Sequence, residues 1–99
     1  MTFVAVTREV ADAINHCELT HVAREPIDLP LARAQHRAYE RALEAARCEV
    51  VRAEPAIHLP DSVFVEDTAI VVDEVGIITR PGAASRRPEA AAVADVLGR

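Results

Sequence analysis

The first run of the chain, Phe3-Val4-Ala5-Val6-Thr7, is apolar and β-branched and predicts a short strand. From Arg8 to Leu29 no period of two or of 3.6 is sustained, because Asn15, His16, Glu18, Thr20, His21, Pro26 and Asp28 interrupt it. A loop of about twenty residues is expected there, and loops of that length inside compact domains usually serve binding. From Pro30 the pattern turns helical: Leu31, Ala34, Ala38, Ala42, Leu43 and Ala46 recur at steps of three and four. Gln35, Arg37, Glu40, Arg41 and Glu44 fall on the other, solvent-facing side, and the helix is expected to end near Arg47. Cys48 to Arg52 reads as a strand, and Asp61 to Val65 as a short strand or turn. Thr68 to Val72 and Gly76 to Thr79, joined through Asp73-Glu74, predict a hairpin. A last helix is predicted from Arg87 to Leu97, with Ser85 as N-cap, Pro88 in the first turn and Gly98 at the C-cap position.

This order predicts an α/β fold in one domain spanning residues 1–99, with a weak repeat between the two helix-containing halves. The core is thin. Hydrophobic residues make up 51% of the chain, but many are alanines and aromatic residues are only 3%, so little area is buried per residue. A formal net charge of -5 argues against nucleic acid and anionic membrane as partners. No run approaches the roughly 18 apolar residues of a membrane span, and no basic leader is recognisable, so a cytoplasmic location is expected. Cys17 and Cys48 lack metal-ligand spacing and read as reduced thiols. His16, His21, His36 and His58 lack it too, so neither a metal nor a cofactor is expected. Cys17 has His16 and His21 near it in sequence only, which does not make it a nucleophile.

The chemistry concentrates in Leu59-Pro60-Asp61-Ser62-Val63-Phe64-Val65-Glu66-Asp67, where three carboxylates thread an apolar run that reads as a buried strand. Acids in such a place are costly unless a cation meets them. A regular strand would send Glu66 and Asp67 to opposite faces, so a shared ligand requires a bend or bulge near Glu66. A planar guanidinium would satisfy converging carboxylates through charge-assisted, bidentate hydrogen bonds. The spacing equally allows a purely structural reading, with Asp61 capping a turn, Glu66 solvated, and Asp67 paired with Arg80 or Arg86. Arg80, Arg86 and Arg87 surround a predicted helix N-terminus, where they oppose the helix dipole. That placement suits an anionic ligand such as a carboxylate or phosphate, and it suits solvated surface arginines as well.

Pro60-Asp61-Ser62-Val63-Phe64-Val65-Glu66-Asp67, Ile78-Thr79-Arg80-Pro81-Gly82-Ala83 and Ser85-Arg86-Arg87 closely resemble the dimethylarginine dimethylaminohydrolases. Glu18-Leu19-Thr20 and Ala32-Arg33-Ala34-Gln35-His36 are similar to the same family. The resemblance implies a pentein, a five-module α/β propeller, that hydrolyses methylated arginines to citrulline and a methylamine through a covalent cysteine intermediate. It further implies that the Leu19 backbone carbonyl and Asp61 meet the substrate α-amino end and that Glu66 and Asp67 hold the guanidinium. Phe64 would wall the pocket, and Arg86 would pair with the α-carboxylate. The family's nucleophilic cysteine and its general acid/base histidine lie beyond residue 99, so the chain is expected to hold about two of five modules, truncated before the catalytic pair. No catalytic residue is expected within it, and by itself it is expected to be inactive. Other guanidino-modifying penteins, such as arginine- or ornithine-type deiminases and amidinotransferases, remain open, as does a non-enzymatic role. Two modules of a closed propeller would leave sheet edges and apolar faces bare, so self-association or pairing with a complementary C-terminal fragment is expected.

Overall fold

The computed structural model describes residues 3–98. Strand β1 (Phe3–Thr7) leads through a 3-10 turn at Asp12–His16 and an irregular segment to helix α1 (Leu29–Ala45). Strand β2 (Cys48–Arg52) follows, then a 3-10 turn at Val65–Asp67, strands β3 (Ala69–Val72) and β4 (Val75–Ile78), a 3-10 segment at Ala84–Glu89, and helix α2 (Ala90–Leu97). β1 and β2 pair in parallel, Phe3 with Cys48 through Thr7 with Arg52, so α1 is the crossover that parallel strands require. β3 and β4 form the antiparallel hairpin, with Ile70 opposite Ile77 and Val72 opposite Val75.

Local chemistry accounts for the boundaries. The Asp28 carboxylate caps α1 by accepting from the Leu31 N–H at 3.0 Å, and Pro30 sits in the first turn, where its missing N–H costs nothing. Past the C-cap residue Ala46, Arg47 takes a left-handed conformation (φ 68°) that turns the chain into β2. The last helix starts later than its pattern predicts. Ser85 is not its N-cap: the hydroxyl donates to Glu18 Oε1 at 2.7 Å, and residues Ala84–Glu89 wind as a 3-10 segment before α2 begins. Gly98 does close α2, its N–H reaching the Ala94 carbonyl at 3.0 Å.

The core departs most from expectation. Its apolar members are Val10, Ala11, Ile14, Cys17, Ala53, Ala90 and Val93, and it holds Thr7, Arg8, Glu40, Asp61, Ser62, Thr68 and Glu89 as well. Glu40, predicted on the solvent face of α1, is that helix's buried residue, while Leu31 is 52% exposed. The cause lies in what the β1–β2 ribbon presents to the helix. Thr7 Oγ1 donates to Glu40 Oε2 at 2.6 Å, and Arg52 grips the same carboxylate through Nε at 3.0 Å and Nη2 at 2.9 Å. A helix face of alanines gains little by burial, so the polar complement decides the orientation. His36, one turn earlier on α1, brings Nε2 to 3.7 Å from Glu40 Oε2.

The Arg52 hydrogen bonds hold the Glu40 carboxyl below its usual range, although burial alone would raise it. A lowered folded-state value means that the pair's contribution is complete above the unfolded value near 4.5 and is lost as pH falls through the folded one. Urea midpoints followed from neutral into acid conditions should therefore drop below that range, and Glu40→Gln should remove this part of the fall. An identical acid limb in the variant would refute the assignment.

The hairpin is apolar on both sides. Ile70, Val72, Val75 and Ile77 are exposed on one face and Val71 and Ile78 on the other. Strands with this pattern ordinarily sit inside a larger sheet assembly.

Candidate functional site

Leu59 to Thr68 does not form the strand that its apolar run suggested. Backbone bonds of the turn type follow one another: Ser62 N–H to Leu59 O at 3.1 Å, Phe64 to Asp61 at 3.0 Å, Asp67 to Phe64 at 3.2 Å and Thr68 to Val65 at 3.0 Å. Two buried hydroxyls lock the coil, Ser62 Oγ on the Ala56 carbonyl at 3.2 Å and Thr68 Oγ1 on the Val65 carbonyl at 2.6 Å. The bend expected near Glu66 is a 3-10 turn at Val65–Asp67, with Glu66 at a groove and Asp67 on Arg86. It turns Asp61 inward and leaves Glu66, Asp67 and the Phe64 ring exposed. Glu66 edges an open groove of about 290 Å3 lined by Val4, Val6, His36, Tyr39, Val63 and Val65.

Asp61, 5% exposed, accepts the backbone N–H of Glu18 at 3.0 Å. Glu18 in turn takes the Ser85 hydroxyl, so the long segment after the first 3-10 turn is tied to the acid coil and to the segment that carries Arg86. Leu19, the next residue, is thereby held beside Asp61 with its side chain partly exposed. Arg24 folds the same segment by donating to the carbonyls of Asn15 and Cys17, and Asn15 Oδ1 accepts from the Ile27 N–H at 2.7 Å.

Arg86 is the hub. Its Nε and Nη2 grip Glu89 Oε2 and Oε1 at 3.0 and 2.8 Å, and its Nη1 meets Asp67 Oδ2 at 2.7 Å. Nη2 also approaches the carbonyls of Asp61 and Phe64 at 3.3 and 3.4 Å. The Glu89 hydrogen bonds raise the Arg86 pKa above its ordinary value; burial opposes this, and Asp67 adds to it. Behind Glu89 lies Arg8, 0% exposed, whose Nη1 and Nη2 donate to the Glu89 carbonyl at 3.3 and 3.2 Å. Burial lowers the Arg8 pKa, and the charge of Glu89 partly restores it.

Of the six residues singled out by sequence, Asp67 and Arg86 are in direct contact, and Asp61 and Phe64 reach Arg86 through their carbonyls. Leu19 adjoins Asp61 through Glu18, and Glu66 flanks Asp67 from the groove side. The pairing of Asp67 with Arg86 is the contact the structural reading of the acids described. Sequence reasoning missed Glu18, Glu89 and Arg8. Glu89 had a signal, since an acid three residues after an arginine in a helical stretch is within reach of it. Arg8 had none beyond following a strand.

The whole chain superposes on solved dimethylarginine dimethylaminohydrolases. One is a Pseudomonas aeruginosa cysteine-to-serine variant complexed with citrulline, with TM-score 0.89 and 35% identity over 100% of this chain and 39% of that one. Another, an adduct with S-methyl-L-thiocitrulline, gives TM-score 0.88 and 34% identity, again over 100% and 39%. The fold is thus the α/β arrangement of a pentein, present over part of its length. In sequence the chain is 44% identical over 95 residues to N(G),N(G)-dimethylarginine dimethylaminohydrolase of Streptomyces coelicolor, covering 96% of this chain and 37% of that protein. With the enzyme of the same name from Pseudomonas aeruginosa it shares 42% over 72 residues, 73% of this chain and 28% of the other. The chain belongs to the dimethylarginine dimethylaminohydrolase family and spans well under half the length of these relatives. No family model matches it. Among the described residues, no helix is long and apolar enough to cross a membrane.

Proposed function

We propose that residues 1–99 form the substrate-holding part of a hydrolase that converts methylated arginines to citrulline and methylamines. One observation carries this reading. The Asp67 carboxylate, at the mouth of the acid coil, already receives a guanidinium N–H at 2.7 Å, that of Arg86. A substrate guanidinium presents the same fork of donors. Asp67 and Glu66 take the substrate guanidinium, Phe64 walls it, Arg86 receives the α-carboxylate, and Asp61 with the Leu19 carbonyl meets the α-amino end.

These roles demand a rearrangement. The two charged ends of an arginine are separated by its own side chain, whereas Asp67 and Arg86 touch. Binding therefore opens the internal ion pair and replaces it with two contacts to the ligand. Asp67 is 54% exposed, so a pair of this kind holds weakly enough to be exchanged. The chain positions substrate, and cleavage falls to a nucleophile and a base from outside residues 1–99. The rest of the family fold, whether in the same polypeptide or in a complementary chain, would bury the apolar residues of the exposed hairpin by packing against it. A cytoplasmic location accords with the unbonded thiols of Cys17 and Cys48.

The test is a citrulline assay with asymmetric dimethylarginine, run on the 99-residue chain with and without the remaining part of a relative. Citrulline is expected only from the mixture. Turnover by the chain alone would overturn the division between holding and cutting, and no turnover from a mixture that assembles would overturn the family activity for this chain.

A further inference from the structure

We propose that Glu89 and Arg8 are positioning residues for the substrate carboxylate, acting through Arg86; this rests on the reading of Arg86 given above. The two acids on Arg86 occupy different sides of its guanidinium. Glu89 fills the Nε–Nη2 edge from a site that is 1% exposed. Asp67 meets Nη1 from the solvent side. Exchange with a ligand thus concerns Nη1, while the bidentate grip of Glu89 holds the guanidinium plane still.

Arg8 positions Glu89: from a site that is 0% exposed its Nη1 and Nη2 both donate to the Glu89 backbone carbonyl, which fixes the residue whose carboxylate grips Arg86. Asp67 is the anion on Nη1 in the unliganded chain, and the substrate carboxylate takes its place in the complex. Arg8 therefore supports anion binding without touching the ligand. Its Nε, buried and without a hydrogen-bond partner among the described residues, shows that it is held there at the expense of a hydrogen bond.

The experiment is an NMR titration of the full chain with two ligands, Nω-methylarginine and Nω-methylagmatine, which share a guanidinium and differ in the carboxylate. Glu89→Gln and Arg8→Met are each expected to weaken methylarginine binding about tenfold while methylagmatine changes less than about twofold. Arg86→Ala is expected to show the same split. If Arg86→Ala leaves methylarginine unaffected, or the wild-type chain binds neither ligand, the reading of Arg86 fails and the proposal falls with it. If Arg86→Ala shows the split and the other two variants bind as wild type, or lose both ligands equally, the positioning roles alone are overturned. Should Glu89→Gln not fold, the double variant Arg8→Met/Glu89→Gln removes one buried charge of each sign and is expected to give the same split.

Discussion

Glu89→Ala is expected to destabilise the chain by about 3–5 kcal/mol, the usual loss when one side of a buried ion pair is removed. A chain of this length has roughly 5–15 kcal/mol of total stability, so much of it would be lost. The cause is the position of Glu89 between two arginines. Its carboxylate takes two hydrogen bonds from Arg86, and its charge is what offsets the burial of Arg8. Truncation leaves Arg86 with the exposed Asp67, while the buried Arg8 keeps its bonds to the backbone carbonyl of residue 89 but loses the negative charge beside it. Glu89→Gln keeps the volume and one acceptor oxygen and should be milder. Urea unfolding followed by circular dichroism decides the matter. A midpoint shift no larger than that of Glu49→Ala, an exposed control on β2, would show that the cluster contributes nothing.

Glu40→Ala is the second large effect, expected at about 2–3 kcal/mol. It removes the acceptor of the buried Thr7 hydroxyl and both bonds to Arg52. The figure is smaller because Arg52 is 56% exposed and can return to water. Arg52→Met strands the buried carboxylate instead of the exposed cation. It should be comparably harmful at neutral pH and milder in acid, where Glu40 can take up a proton. Thermal unfolding of both variants at two pH values checks the sign. Equal behaviour in acid would mean that Arg52 is not what keeps Glu40 ionised.

The elements governed by local chemistry were legible from sequence. The runs of β-branched residues at β1, β2 and the hairpin, and the proline that opens α1, lead directly to the observed elements. The helix orientation was not, because alanines at three- and four-residue steps define a face only weakly and Glu40 found a polar surface to complete. The acid coil was left open between strand and turn, for a different reason. Val63, Phe64 and Val65 favour a strand locally, but Ser62 and Thr68 spend their hydroxyls on backbone carbonyls and close turns instead. Asp61, Glu66, Asp67 and Arg86 were singled out by residue type and by resemblance, and the Asp67–Arg86 contact stood among the readings left open. What spacing could not show was that Arg86 is shared with Glu89, or that Arg8 lies behind both, since those partners meet only after the chain has folded.

The Arg8 contact with the Glu89 carbonyl spans 81 positions, and the β1–β2 pairing also joins distant segments. Contacts of such separation make folding slow, because chain closure must precede any gain from them. During synthesis β1 waits on β2 for its pairing, and the adjoining Arg8 waits on Glu89, at the end of the 3-10 segment, for its acceptor. β1 is thus secured only after both later segments are made, and synthesis interrupted before residue 89 should leave Arg8 without that acceptor.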